Sequence, residues 1–289
     1  MKITLDNGET LAYEVRQGGT CNLVLLHGNM AASDQWDLLM EHLDPRYTVY
    51  AVDLRGYGKS TYNNPIQSIK DFSKDLKLFT DELGLKSFHL MGWSNGGGVA
   101  MQFAADYPDR VEKLILLASM STRGYPIYDP DGERVQTKEQ IVLDTGLNMM
   151  LEAQRKKNKQ FFKTAMDQIL YSRNQPEENR YEKYLENAME QRNILDVADA
   201  ANRFNISRVS NGVVDGNGEI GRIKAPTLVL WGKEDLITSE QMTHEILNDM
   251  KDHGIEVTLS ILPAGHSMFI DDLEGVLREV DQFLSSGNE

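Results

Sequence analysis

Cysteine is nearly missing: Cys21 stands alone in 289 residues, so no intrachain disulfide can form. It lies just before an apolar strand, where a buried or half-buried thiol is expected. No apolar run reaches the roughly 18 residues of a membrane-spanning helix, which leaves out a membrane span. Lys/Arg-rich runs are missing too, and the formal net charge is −14. Such an acidic surface repels phosphate backbones and sets nucleic acid aside as a partner. There is no His-Glu-x-x-His pattern and no paired Cys/His spacing, so nothing calls for a metal. The first residues, MKITLDNGETLAYEV, alternate like a strand and lack the apolar stretch of a signal peptide; cytoplasm is the expected compartment. Internal repeats and low-complexity linkers are absent as well. With 40% hydrophobic and 26% charged residues, what remains is ordinary globular chain. It is long enough for one large domain, or for a core domain with an insertion.

What is present alternates between two textures. Residues 2–6 and 10–16 alternate around Asn7-Gly8, a hairpin signal. Short continuous apolar runs at 22–26, 47–52, 88–91, 111–118, 225–231 and 257–262 read as strands covered on both faces. Helical periodicity lies between them, at 33–42 with Ser33 as N-cap, at 68–83, after the run at 88–91 as far as Tyr107-Pro108, at 239–252 and at 271–285. Strands alternating with helices predict one mostly parallel α/β sheet with helices on both faces. From 121 to 220 the apolar strands stop, and helical spacing appears around 137–153, 156–171, 177–192 and 194–204. This block is expected to be a helical insertion, with 1–120 and 221–289 forming the core.

The stretch that organises the chain is FHLMGWSNGGGV, residues 88–99. An apolar strand meets Gly92-Trp93-Ser94-Asn95-Gly96 and then a helical pattern, which is the spacing of a nucleophile elbow. Gly92 and Gly96 have no Cβ to keep strand and helix apart. Each Gly costs a helix roughly 1 kcal/mol relative to Ala, so Gly96, Gly97 and Gly98 together imply a steric requirement. Ser94 then projects above the sheet, with the positive end of a helix behind it. An ordinary Gly-rich loop would share the pentapeptide; the rest of the chain argues against that reading.

A nucleophilic serine needs a base within hydrogen-bonding reach and an acid that orients the base. Of six histidines, His42, His244 and His253 fall in or beside helices and read as surface residues. His89 lies inside a strand and is expected to be a satisfied core imidazole; His27 is expected to brace a loop. His266 differs: it follows the last strand, and in a parallel sheet all strand C-termini share one edge, where ligands bind. The acid is expected to be Asp235, just past another strand, with Glu234 as its rival; as a structural residue Asp235 would be a helix N-cap. Two N–H groups must face the developing oxyanion. One is expected from Asn95, the other from the His27-Gly28-Asn29-Met30 loop, with Asn29 first and Met30 second.

The order Ser94, Asp235, His266, with HGN at 27–29, DLRGYGKS at 53–60, GWSNGG at 92–97, WGKED at 231–235 and GH at 265–266, resembles the α/β-hydrolase superfamily over nearly the whole chain. The resemblance implies Ser94 as nucleophile, His266 as general base and Asp235 as its orienting acid, with no cofactor or metal. It implies a bracing role for Asp53 and Arg55, and a cap in the helical insertion that covers the pocket and selects substrate. Serine at the elbow argues against dehalogenases and epoxide hydrolases, which place Asp there. The expected reaction is hydrolysis of a small-molecule carboxylic ester or lactone. Carbon–carbon bond hydrolases and cofactor-free perhydrolase or haloperoxidase-like enzymes share the same triad, and a non-catalytic ligand receptor can retain it. Trp93 is similar to its counterpart in the G-W-S-x-G-G box of intracellular polyhydroxybutyrate depolymerases, or simply packs the elbow. Met30, Trp93, Met120 and Met268 are the expected substrate contacts near the elbow. In the insertion, Met149, Met150, Met166, Phe161, Phe162, Tyr171, Tyr125 and Tyr128 are candidates for an apolar pocket or for plain core. Adaptable Met side chains suit an apolar acyl group.

Overall fold

The computed structural model describes residues 1–286. In chain order, strands β1 (Lys2–Thr4), β2 (Thr10–Arg16) and β3 (Cys21–Leu26) lead to helix α1 (Asp37–His42). Then follow β4 (Tyr47–Val52), α2 (Ile69–Glu82), β5 (Phe88–Trp93), α3 (Asn95–Asp106) and β6 (Val111–Leu117). Helices α4 (Lys138–Val142), α5 (Thr145–Arg155), α6 (Lys159–Ile169), α7 (Glu178–Glu190) and α8 (Ile194–Arg203) fill the interval before β7 (Thr227–Gly232). The chain closes with α9 (Glu240–Lys251), β8 (Val257–Leu262), α10 (Met268–Asp271) and α11 (Leu273–Ser285).

The strands form one eight-stranded sheet in the order β1-β2-β4-β3-β5-β6-β7-β8. β1 and β2 pair antiparallel around the Asn7-Gly8 turn, and β2 runs antiparallel to β4. Every later pairing is parallel. Successive side chains of a strand point to opposite faces, so each apolar run supplies two cores. Val24, Leu26, Leu90, Leu114 and Leu116 meet α2 and α3 on one face. Leu23, Leu25, Met91, Ile115 and Leu117 meet α1 and α11 on the other. This two-sided cover is why the central strands read as continuous apolar runs rather than alternating ones.

Helices α5, α6 and α7 build a third cluster of their own around Phe162, Met166, Tyr181, Tyr184 and Leu185, and Met30 of the β3 loop packs against it. Helix α8 behaves differently. Its Val197, Ala200 and Ala201, with Phe204 and Ile206 beyond it, join the core over α2 and α3.

Three local expectations are revised. Ser33 does not cap a helix: it lies within a 3-10 turn (Ser33–Trp36), and its N–H goes to Asp53 Oδ1 at 2.7 Å. The helical pattern at 137–153 is two helices, because the Asp144 side chain accepts from Leu147 N–H and starts α5 afresh. The closing helix is likewise preceded by the short α10, and Asp272 caps α11.

Candidate active site

Ser94 joins β5 to α3 with φ 57° and ψ −121°. A non-glycine residue held in such a region stores roughly 1–3 kcal/mol of strain and persists only where its surroundings enforce it. Here they do. Ser94 N–H bonds to Leu117 O at 2.9 Å, and Ser94 O accepts from Gly97 N–H and Met120 N–H at 3.0 and 3.2 Å. A Cβ at Gly92 would sit 2.3 Å from Gly96 O, and one at Gly96 would sit 2.3 and 2.4 Å from the carbonyl oxygens of Leu26 and His27. Those contacts are backbone, so neither position tolerates a side chain. Gly97 lies against Ser119 and Gly98 against Met120, which supplies the steric reason for the glycine run.

The β8–α10 loop carries His266, 2% exposed, and the loop after β7 carries Asp235. His266 Nδ1 lies 2.9 Å from Asp235 Oδ2 and 3.1 Å from Oδ1. Asp235 also accepts from Ile237 N–H at 2.7 Å, Thr238 N–H at 2.9 Å and Thr238 Oγ1 at 2.5 Å. Burial alone would raise this carboxyl; the bonds from His266, Thr238 and Ile237 outweigh it and hold the carboxyl below its ordinary range. The rival Glu234 is half-exposed and paired with Arg173. Helix α9 takes its N-cap from Ser239, so Asp235 closes a turn rather than capping that helix. Trp93 Nε1 donates to His266 O at 3.0 Å, and its ring lies 5.4 Å from the imidazole, which ties the histidine loop to the elbow strand.

Ser94 and His266 line the same cavity, of about 320 Å³. Among the described residues no hydrogen bond joins the Ser94 hydroxyl to the imidazole. In unliganded sites such bonds are often long and tighten around substrate. Asn29, Met30, Trp93, Asn95 and Met120 line the cavity as well. As the first residue of α3, Asn95 has a backbone N–H with no partner inside the helix. Its buried side-chain amide has no partner at either polar atom.

The HGN loop is held from several sides. His27 is fully buried; its Nδ1 lies 2.7 Å from Gly28 O, and Leu54 N–H donates to its Nε2 at 3.1 Å. Burial depresses its pKa and keeps the ring neutral, as both bonds require. Asn29 Oδ1 accepts from Tyr57 OH at 2.9 Å and from Gln191 Nε2 at 2.7 Å. Met30 adopts a left-handed φ of 53°, and its N–H is taken by Gln191 Oε1 at 2.9 Å. The DLRGYGKS loop is braced as well: Asp53 accepts from Ser33 and Lys59 N–H, and Arg55 pairs with the buried Asp75.

Several expectations about the lining need correction. Met268 is fully buried between the sheet and α11 and does not line the cavity, because the short α10 turns it inward. Of the candidates in the insertion, Met166 and Tyr125 line the cavity, while Phe162, Tyr171, Met150 and Phe161 belong to the α5–α7 cluster. Met149 and Tyr128 are exposed. His89 is buried, yet its Nδ1 has no partner, so it is not a satisfied imidazole. The sequence reading missed Ile127, Ile169, Leu170, Val197, Leu236 and Ile237 on the wall, and Gln191 behind the HGN loop. Leu236 and Ile237 directly follow Asp235 and were within reach of a motif reading; Gln191 carried no local signal. No Lys, Arg, Asp or Glu among the described residues lines the cavity. Among the described residues, no group of three or more His, Cys, Asp or Glu side chains is arranged to hold a metal, and no helix is long and apolar enough to cross a membrane.

A serine on a strained strand-to-helix turn, above the C-terminal edge of a mostly parallel sheet and sharing a cavity with a buried His–Asp pair, is the architecture of an α/β hydrolase. The chain matches the alpha/beta hydrolase fold family over residues 22–273 and belongs to it. It is 27% identical over 237 residues to a 2-hydroxy-6-oxononadienedioate/2-hydroxy-6-oxononatrienedioate hydrolase of Klebsiella pneumoniae, covering 80% of this chain and 77% of that protein. It is 30% identical over 246 residues to the hydrolase of the same name from Cupriavidus pinatubonensis, covering 81% and 78%. Among solved structures it resembles a thermophilic esterase from Thermogutta terrifontis, with a TM-score of 0.72, 26% identity, and 98% and 97% of the two chains covered.

Proposed function

We propose that this α/β hydrolase is a serine carboxylic ester hydrolase for esters or lactones with an uncharged, apolar acyl group. In this reading the Ser94 hydroxyl attacks the carbonyl carbon and His266 Nε2 takes its proton. Asp235 holds Nδ1–H and stabilises the imidazolium as it forms. The tetrahedral oxyanion is received by the N–H groups of Asn95 and Asn29. The Met30 N–H is already committed to Gln191, which favours Asn29 as the second donor. His266 returns the proton to the leaving alcohol, then activates water to release the acid from Ser94. No cofactor enters these steps. Helices α4 to α8 act as the cap that shapes the acyl site.

The observation that carries this reading is the wall of the cavity: Ser94 and His266 share it with Met, Ile, Leu, Val and Ala side chains and, among the described residues, with no Lys, Arg, Asp or Glu. Burying an ionised carboxylate without a partner is strongly unfavourable, so such a wall selects against anionic acyl groups. A second reading, carbon–carbon bond hydrolysis on the same triad, is favoured by the names of the two bacterial relatives. Their printed substrates are dioates, with two carboxylates, and this cavity offers no cation to receive either. The test measures hydrolysis of p-nitrophenyl acetate and butyrate by the wild type and by Ser94→Ala, beside a vinylogous diketone carrying two carboxylates. Hydrolysis of the esters that is lost in Ser94→Ala supports the proposal. Equal activity in the two proteins, or turnover of the dicarboxylate in preference to the esters, overturns it.

A further inference from the structure

The cap and the oxyanion loop meet at one buried side chain. Gln191 ends α7, is 2% exposed, and uses both ends of its amide across the boundary. Its Oε1 accepts from Met30 N–H at 2.9 Å; its Nε2 donates to Asn29 Oδ1 at 2.7 Å and to Asn193 Oδ1 at 2.8 Å. The buried Asn193 in turn donates to Arg55 O at 2.7 Å. The neighbouring Arg192 secures the same seam without touching the HGN loop: its N–H reaches Gly56 O at 2.8 Å, and its guanidinium reaches the carbonyls of Tyr57 and Gly58. Met30 is gripped twice, by its amide on Gln191 and by its side chain within the α5–α7 cluster. A left-handed Met costs roughly 1–2 kcal/mol, so its backbone relaxes unless something holds it.

We infer that Gln191 is a positioning residue of the cap, one that sets the oxyanion loop through Met30 and Asn29 and so makes catalysis conditional on the cap being seated. This rests on the ester-hydrolase reading above. Without Gln191 the Met30 N–H becomes a second free donor and its peptide is free to turn. The neighbouring Asn29 N–H then loses its fixed direction, although Tyr57 still holds the Asn29 side chain. A donor aimed at the oxyanion acts in the transition state more than in the ground state, so the loss falls on kcat rather than KM.

The test compares Gln191→Ala, Gln191→Glu, Arg192→Ala and Ser94→Ala with the wild type. Measurements are p-nitrophenyl butyrate kinetics, affinity for butylboronic acid, which forms a tetrahedral adduct on a serine oxygen, and thermal melting. Gln191→Ala is expected to lower kcat about 10- to 100-fold with KM within about threefold, and to weaken the boronate in parallel. Arg192→Ala removes the guanidinium bonds to the Tyr57 and Gly58 carbonyls but keeps the backbone N–H bond to Gly56 and the Gln191 bonds that seat the cap, so it lowers the melting temperature while kcat stays within about twofold of wild type. Gln191→Glu keeps the size of the side chain, but its carboxylate repels the Asn29 and Asn193 oxygens. Its rate relative to wild type should rise as pH is lowered and the buried carboxyl gains a proton to donate. A kcat within about twofold of wild type in Gln191→Ala, unchanged boronate affinity, or a flat pH ratio for Gln191→Glu overturns the inference while Ser94→Ala remains inactive. Full activity in Ser94→Ala instead overturns the serine reading itself, and this inference with it.

Discussion

Replacing Asp235 by Asn tests the acid–base axis with little change in shape. Oδ1 of Asp235 receives two backbone N–H groups, from Ile237 at 2.7 Å and Thr238 at 2.9 Å. Those donors fix the carbonyl oxygen of an asparagine in the Oδ1 position, so its NH2 takes the place of Oδ2. There it meets Thr238 Oγ1, which can rotate to accept, and His266 Nδ1, now 2.9 Å from Oδ2. Two N–H groups cannot face each other, so the imidazole moves its proton to Nε2. In that tautomer Nε2 can no longer accept the proton of Ser94. In a Ser–His–Asp arrangement this swap costs on the order of 10⁴ in kcat, about 5.5 kcal/mol of barrier. Packing and both backbone bonds survive, so stability should change by no more than about 1–2 kcal/mol. p-Nitrophenyl butyrate kinetics at pH 8 and a thermal melt read both numbers. Glu234→Gln, at the half-exposed residue beside it, serves as the control and should keep its activity. A kcat for Asp235→Asn within about tenfold of wild type, in a protein that melts normally, would refute the reasoning.

The glycines of the elbow separate two kinds of crowding. Gly96→Ala drives a methyl into the carbonyl oxygens of Leu26 and His27 and should cost at least about 3 kcal/mol, read by chemical denaturation. Gly98→Ala meets the Met120 side chain, most closely its movable end, and that side chain lines the cavity, so it should change KM severalfold with stability within about 1 kcal/mol; the reverse pattern would contradict the steric assignment. Asp34 bears on pH: burial, with the charges of Asp53, Glu14 and Asp37, pushes its carboxyl up to about 6 from 3.8, and its Oδ1 has no partner. Because the folded form takes up this proton first, the group burdens the fold above about pH 6, and the burden fades as pH falls toward 3.8. Asp34→Asn should therefore stabilise the protein by about 1–3 kcal/mol at pH 8 and by little at pH 4, and equal stability of the two proteins at pH 8 would show the carboxylate is not disfavoured.

Most of the sheet was legible because parallel strands covered on both faces leave uninterrupted apolar runs, and the elbow was legible because only glycine fits at Gly92 and Gly96. The placement of Ser94, Asp235 and His266 followed from one rule, that strand C-termini share an edge. The helices between β6 and β7 resisted the same treatment. Helical periodicity identifies a buried face but not what it is buried against, so Phe162 and Tyr171, in the α5–α7 cluster alone, look the same as Met166, which also reaches the cavity wall. Met268 failed for a related reason: closeness in sequence to His266 says nothing of which way a four-residue helix turns. Gln191 was invisible because an amide at a helix end has no pattern until the chain 162 positions away is brought beside it.

In the proposed reaction an ester enters the cavity neutral and departs as an alcohol and an anion. Among the described residues the wall offers that new charge no Lys or Arg, only the His266 imidazole and the N–H groups around Ser94, and the chain as a whole carries −14. Hydrolysis therefore converts a guest that the apolar surface welcomes into one that it rejects, and the reaction itself drives the acid out. Turnover on such a site should be governed by bond breaking rather than by product departure, with added butyrate inhibiting only far above the KM of its ester.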